Sequence, residues 1–245
     1  MKFRVIVADP PWGDFSDKLT MSDVKRGAES VYDTLSTEEL KNLPIEKIAA
    51  DDAVLALWVP SALIPEGLEV MKAWGFDFKQ THIWVKVKKD PLKIIRDLLF
   101  KALKNILKEP AELVPGRLQD WIYDLRALHG CVEKTQAAYN DLNCILSFGM
   151  GRLFRQTHEI CLLGTRGKIY SKLRNKSQRS VHFFPVTKHS AKPEGLQDML
   201  DIMFDNRGKK LEMFARRVRK DWICVGLECP HTLDEDIRDS LKKFY

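Results

Sequence analysis

Phe3-Arg4-Val5-Ile6-Val7-Ala8-Asp9-Pro10-Pro11-Trp12 decides the fold. The alternating β-branched residues of Phe3 to Ala8 suit a buried strand, and two prolines in succession cannot continue a sheet, so the chain leaves it at Asp9. An acidic residue, two rigid carbonyl-bearing prolines and an aromatic ring are thereby presented at the carboxyl end of a strand, where open α/β sheets bind ligands. These groups suit a planar molecule with an exocyclic amine. The Asp9 carboxylate and the Pro10 carbonyl can accept its two hydrogens, and Trp12 can stack on its ring. An ordinary strand-to-loop exit has the same outline, so the rest of the chain decides between them.

Composition narrows the classes. The chain has 245 residues, 44% of them hydrophobic, enough for one large α/β domain or one domain carrying an inserted module. No apolar run is long enough to span a bilayer, and Met1-Lys2 leads into the first strand without a signal-peptide pattern. Cys131, Cys144, Cys161, Cys224 and Cys229 form no C-x-x-C pair; buried free thiols in a reducing cytoplasm are expected, and a structural zinc is not. Net charge is +6 and the pI is near 9.0. The positive charge is concentrated, at Arg166, Lys168, Lys172, Arg174, Lys176 and Arg179 and again from Arg207 to Lys220. Such patches favour a polyanionic partner, here nucleic acid.

Along the chain, Gly13 to Val31 is polar and without clear period, which predicts a loop beside the site. Ser36-Thr37-Glu38-Glu39 is a capping box opening a short helix toward Leu43. Ala53 to Val59 predicts a second buried strand, Ser61 caps a helix reaching about Trp74 with Gly75 as its stop, and Phe78 to Val87 alternates as a third strand. This spacing implies parallel βαβ units. Between about 88 and 147 the period changes: Leu92, Ile95, Leu98, Leu99, Leu103, Ile106 and Leu107 follow helical spacing, with Lys93, Lys101, Lys104 and Lys108 on the opposite face. We read a single domain spanning 1–245 with a helical insertion, whose basic side either grips substrate or is simply solvated. Strands resume at His158 to Gly164 and Val181 to Pro185, a helix follows Lys192-Pro193, two short strands occupy Lys210 to Phe214 and Trp222 to Gly226, and an acidic tail helix starts near Thr232 and Leu233.

Taken in order, these segments resemble the MT-A type of adenine-N6 methyltransferase, the family of the catalytic subunit of the mRNA N6-methyladenine writer and of phage and bacterial DNA enzymes. Asp9-Pro10-Pro11-Trp12 matches its catalytic tetrapeptide and Tyr32-Asp-Thr-Leu-Ser36 its gate loop. Leu57-Trp58-Val59, Ile83-Trp84-Val85-Lys86, Gly151 to Glu159, His189-Ser-Ala-Lys192-Pro193-Glu194, Glu212-Met-Phe214-Ala-Arg216 and Asp221 to Gly226 match further segments. The resemblance implies a Rossmann-like class I methyltransferase sheet, circularly permuted, so that the Lys210 to Phe214 strand lies beside Phe3 to Ala8. It implies S-adenosylmethionine as cofactor and assigns Asp9, His158, Lys192, Phe214, Arg216 and Glu228 to the methyl donor. Asp9, Pro10, Pro11 and Trp12 become catalytic, and Trp12 and Tyr32 contact the substrate; Lys93, Lys101 and Lys104 lie in the insertion, outside the resemblance, and join the substrate contacts where its basic side grips nucleic acid. The implied activity is methyl transfer to adenine N6 in DNA with the base flipped out. RNA is the alternative substrate, and a non-catalytic nucleic-acid-binding partner subunit the alternative class; a homo- or heterodimer fits either. The intact tetrapeptide argues against a degenerate subunit, and Asp9 against cytosine-N4 methylation, whose enzymes usually carry serine or threonine there. Leu227-Glu228 departs from the Asn-Gln pair of some relatives, which leaves contacts to the donor's adenine ring less determined.

Overall fold

Strand β1 (Phe3–Ala8) lies inside a seven-stranded sheet, with both neighbours parallel to it. The computed structural model describes residues 1–13, 34–94, 96–97, 145–149, 154–186, 191–204 and 208–245. The remaining strands are β2 (Ala49–Val59), β3 (Asp77–Val87), β4 (His158–Arg166), β5 (Val181–Pro185), β6 (Lys209–Met213) and β7 (Ile223–Val225). Their order across the sheet is β5-β3-β4-β2-β1-β6-β7. β1 pairs in parallel with β2 and with β6, and β6 in parallel with β7, whereas β4 runs antiparallel to both β2 and β3. The fold is therefore the expected Rossmann-like α/β sheet, and the permutation is real: Val5 to Ala8 align with Lys210 to Met213 although some 205 positions separate them.

Helices α1 (Thr37–Lys41), α2 (Ile45–Ile48), α3 (Ile64–Ala73) and α4 (Gly195–Met203) lie between strands, and α5 (Ile237–Lys242) follows the last one. The capping box at α1 forms in full: the Ser36 hydroxyl accepts from Glu39 N–H, and the Glu39 carboxylate accepts from Ser36 N–H. Gly75 stops α3 with φ +80°, a conformation that a Cβ would strain. The Trp74 indole donates to Leu40 O at 2.8 Å and ties α3 to α1. The core beneath them gathers Phe3, Ile6, Leu55, Leu57, Ile45 and Met71.

Three expectations change. The β2-α3-β3 unit is not a pair of adjacent strands, because antiparallel β4 sits between them. Ser61 opens a 3-10 turn (Ser61–Leu63) rather than capping α3, and its hydroxyl accepts from the Gln156 amide. The last helix starts at Ile237, capped by Asp236, not near Thr232. Thr232 spends its hydroxyl on Gly226, accepting from the N–H at 2.9 Å and donating to the carbonyl at 3.0 Å, so it serves a turn and no helix.

The described residues divide into two compact units, one of Met1–Val85, Gly149–Phe184 and Lys192–Tyr245, the other of Lys86–Phe148 and Pro185–Ala191. In the second, Lys88 N–H meets Ile145 O and Ser147 N–H meets Lys86 O, both at 2.9 Å, so the segment leaves and returns side by side. Residues 91–94 are helical and Lys93 is exposed. The rest of the expected helical insertion, with Lys101 and Lys104, and the expected gate loop with Tyr32 lie outside the described residues. Among the described residues no helix is long and apolar enough to cross a membrane.

Candidate active site

The β1–β6 boundary is the place where the sheet reverses its order of construction, and such switch points leave a crevice at the carboxyl ends of the strands. Asp9 follows β1 directly and its N–H reaches Met213 O at 3.5 Å, extending the ladder by one step. Beyond it the tetrapeptide is fixed through its backbone. Trp12 N–H donates to Pro10 O at 3.0 Å, Leu35 N–H to Pro11 O at 2.8 Å, and Gly13 N–H to Leu35 O at 2.9 Å. A carbonyl oxygen has two lone pairs, so Pro10 O retains one acceptor position.

Trp12 is packed rather than open to solvent: the residue is 5% exposed, and its indole donates to the Trp58 carbonyl at 3.0 Å. A buried indole N–H needs such a partner, and Trp58 on β2 supplies it; the ring here anchors the loop.

Asp9 is not alone. Lys192, just ahead of α4, places its ammonium 2.9 Å from Asp9 Oδ1, 3.0 Å from Asp9 Oδ2 and 3.1 Å from Glu159 Oε2. The same ammonium lies 5.6 Å from the centre of the Trp58 ring, a cation–π contact. Burial raises the Asp9 pKa above its ordinary value, and the nearby Lys192 charge only partly reverses this. Burial would depress Lys192, but the Asp9 and Glu159 carboxylates outweigh it and hold the lysine charged, its pKa raised. Cys161, fully buried on β4, has a thiol pushed well above its usual range by burial and by the charge of Asp9, so it is an inert wall of the site.

The position of Lys192 is set by an ion network. Arg217 donates to the Lys192 carbonyl at 3.3 Å and pairs with Glu194 at 2.8 Å. Arg219 meets Glu194, Asp198 and Asp201 at 3.0, 2.6 and 2.8 Å, and Asp201 also takes buried Lys210 of β6. Arg217 and Arg219 are thus engaged with α4 and its approach, whereas Arg216 faces Glu228 at 3.4 Å. Phe214 turns the chain out of β6 with φ 59°, strained for a residue with a side chain. Gly226 at the end of β7 passes so close that an added Cβ would lie 2.4 Å from Ala215 O. Arg216 and Glu228 are therefore held at the carboxyl ends of β6 and β7, where the sequence placed them.

His158 opens β4 opposite Val85 and is half-buried; none of the described hydrogen bonds or ion pairs joins it to Asp9 or Lys192. The neighbouring Glu159, not singled out from the sequence, carries the contact instead. Strand periodicity held the signal: Glu159 and Cys161 share one face of β4, and Cys161 is level with Trp58. Trp58, as carbonyl acceptor for Trp12 and ring beneath Lys192, was likewise missed.

A permuted α/β sheet with an acidic tetrapeptide at its switch point defines the Rossmann-like methyltransferase class of fold. The chain belongs to the MT-A70 family, whose profile matches residues 3–114 and 112–228. Over 248 aligned residues it is 27% identical to the N(6)-adenosine-methyltransferase subunit METTL3 of Danio rerio, covering 100% of this chain and 31% of that protein. It is 32% identical to the N(6)-adenosine-methyltransferase MT-A70-like protein of Drosophila melanogaster, over 100% of this chain and 30% of that one. A 105-residue stretch, 37% of this chain and 45% of the relative, is 31% identical to the Type II methyltransferase M.MunI of a Mycoplasma species. The chain thus spans about a third of the length of the full-coverage relatives.

Proposed function

We propose that this chain binds S-adenosylmethionine and directs methyl transfer to adenine N6 in DNA. The observation that carries the reading is the Asp9 carboxylate and Pro10 carbonyl, fixed one step beyond β1 against β6, with Lys192 and Glu159 completing a charged cluster. The donor set fits the cofactor. Glu228, ending the β7 turn, suits a ribose diol; Arg216 and Lys192 suit an amino-acid carboxylate; Asp9 and Glu159 suit a cationic sulfur centre. S-adenosylmethionine supplies an electrophilic methyl group, and the protein contributes position and electrostatics.

Adenine N6 is a weak nucleophile because its lone pair is delocalised into the ring. Accepting its two hydrogens at Asp9 and Pro10 O favours a pyramidal nitrogen and frees that lone pair. Both Asp9 oxygens lie within reach of Lys192, so an incoming amine must share or replace that contact. Glu159 keeps a second carboxylate on the ammonium, which lets Lys192 yield at Asp9 without losing a counter-ion. Lys192 meanwhile opposes the burial that favours the Asp9 proton, and so favours its acceptor form.

The M.MunI similarity supports DNA as substrate. RNA is the second reading, supported by the N(6)-adenosine names of the relatives that match the whole chain. Labelled donor incubated with single-stranded DNA, duplex DNA and RNA, followed by nucleoside analysis, separates them. N6-methyldeoxyadenosine is expected; N6-methyladenosine from RNA alone would establish the second reading, and no donor binding with or without nucleic acid would refute both. Asp9→Asn should still bind donor, less tightly because one of the two carboxylates that suit the sulfur centre is gone, yet at saturating donor lose at least about a hundredfold in turnover, the scale of removing one oriented polar group.

A further inference from the structure

We propose that the segment from Lys168 to Arg179 is a second nucleic-acid contact, a basic track that holds single-stranded polynucleotide away from the catalytic row. The proposal deepens the reading above by adding a strand-holding surface to the same substrate.

Several basic side chains elsewhere are matched to carboxylates: Lys41 to Glu38, Lys192 to Asp9, Lys210 to Asp201, Arg217 to Glu194, Arg238 to Glu39, Lys242 to Asp239 and Lys243 to Glu235. Lys168, Lys172, Lys176 and Arg179 are exposed and take part in none of the ion pairs among the described residues. No acidic residue occurs between Arg166 and Arg179. Four cations left without counter-ions on one segment repel one another, and a polyanion relieves that repulsion.

The segment is also fixed. Ile169 is buried, Lys168 N–H donates to the Asp52 carboxylate at 2.6 Å, and a 3-10 turn spans Ile169–Lys172. Leu173 bridges Phe204, Arg174 N–H meets Met203 O at 2.9 Å, and Asn175 accepts from Ser177 N–H at 2.9 Å. A charged surface held in this way gives up little conformational entropy when it binds. Tyr170, 55% exposed among these cations, offers a ring on which a base can stack, and Phe183 on the edge strand β5, 61% exposed, offers another. Basic residues interleaved with open aromatic rings are the chemistry of single-strand binding, whereas the paired bases of a duplex cannot reach such rings.

Sheet register places the track. Ala8 is level with Leu57, and Leu57 with Leu162, so Asp9 shares a row with Trp58 and Cys161. Arg166 lies five residues further along β4, about 17 Å down the sheet at about 3.3 Å per residue. The segment then climbs back until Ser180 O accepts from Ile83 N–H at 2.7 Å, and Ile83 pairs with Ile160, next to the catalytic row. β5 stands four strands from β1, about 19 Å at about 4.8 Å per strand. The track therefore starts at the far end of the sheet and rises to the level of Asp9, to its side. A strand lying on it reaches the site only if it extends several nucleotides beyond the target base.

The test compares the wild type with Lys168→Gln/Lys172→Gln/Lys176→Gln/Arg179→Gln. A control with the same loss of charge elsewhere carries Lys2→Gln/Lys72→Gln/Lys242→Gln/Lys243→Gln. Binding of single-stranded DNA of about 20 nucleotides, its duplex and an RNA of the same sequence is followed by fluorescence anisotropy across salt, with donor binding and methyl transfer measured in parallel. The track variant should lose about tenfold or more in single-strand affinity at low salt, and its salt slope should fall by as much as about 3, at about 0.7 per phosphate contact. Tyr170→Ala should weaken the single strand about fivefold or more with the slope unchanged. For methyl transfer, KM should rise on the long strand with kcat held, and a substrate of about 4 nucleotides should show no difference. Equal losses in the track and control variants, or unchanged affinity and slope in the track variant, would overturn the proposal, as would a wild type that binds duplex but not single strands. If the strand binds through the track while no nucleic acid is methylated, the catalytic reading fails and this one stands. If methylation proceeds with the same long-strand KM in both proteins, the reverse holds.

Discussion

Replacing Lys192 by methionine keeps the length of the side chain and removes the cation from between Asp9 and Glu159. The three side chains are 17%, 27% and 25% exposed, so the cluster is largely but not wholly withdrawn from water. At an effective dielectric of about 20, each contact near 3 Å is worth about 5 kcal/mol of Coulomb attraction. The desolvation of the ammonium, recovered on its removal, offsets much of that. Breaking a buried pair from one side costs about 3–5 kcal/mol, and the residual access of water argues for about 3 kcal/mol at neutral pH. The cost comes from two adjacent carboxylates left without a counter-ion, so it depends on their ionisation. Asp9 already sits above its ordinary pKa through burial, with Lys192 as the main opposing influence, and the substitution moves it further up. A carboxyl whose folded pKa exceeds the unfolded one makes the native state the tighter proton binder between the two values. Stability then rises as pH falls through the raised folded pKa. The deficit should therefore be smaller at pH 5 than at pH 8. Urea unfolding followed by circular dichroism at pH 8 and pH 5 measures both values, and adding Glu159→Gln to Lys192→Met should recover part of the loss at pH 8. An equal deficit at both pH values, with no recovery in the double variant, would refute a charge origin and leave packing against Trp58 as the reason for the lysine.

Two further outcomes follow from the structure. Trp12→Phe removes the indole donor to the Trp58 carbonyl and some buried volume; a loss of about 2 kcal/mol in thermal or urea unfolding is expected, and an unchanged midpoint would show that the loop is held by its backbone bonds alone. His82, 3% exposed and stacked on His182 at 5.2 Å, has its pKa pushed down to about 4 by burial and then by the His182 charge. The unfolded chain binds its proton near pH 6.5 and the folded one does not, so this residue removes up to about 3 kcal/mol of stability as pH falls from about 6.5 to about 4. His82→Phe should flatten that part of the pH profile, and a slope equal to the wild type's would exclude His82 as its source.

The parts of the fold that could be read from the sequence are those set by local chemistry. The prolines ended β1 where expected, Ser36 and Glu39 closed their capping box, and Gly75 stopped α3. The pairing of β6 with β1 was legible only through the ordered motifs, since no local signal links positions so far apart. What escaped was decided by neighbours distant in sequence. A tryptophan behind two prolines looks presented to solvent until Trp58, 46 residues on, offers its carbonyl. Thr232 and Leu233 look like a helix start until Gly226 claims the threonine.

Lys192 shows the same limit at the centre of the site. It is 183 residues from Asp9, and only the permuted sheet brings β1, the start of β4 and the approach to α4 to one point. The gathering has a consequence for charge. Two carboxylates and one ammonium leave a net formal charge of −1 at the switch point, on groups that burial would otherwise discharge. Asp9 with Lys192 alone would be neutral and indifferent to the sign of its ligand, and Asp9 with Glu159 alone would tend to share a proton and lose an acceptor. The three together favour Asp9 as an acceptor while leaving one formal negative charge for a cation. That combination suits the proposed function, a site that orients an amine and attracts a sulfonium at once, and it gives Glu159 a part in that proposal at which only the alternation of β4 hinted.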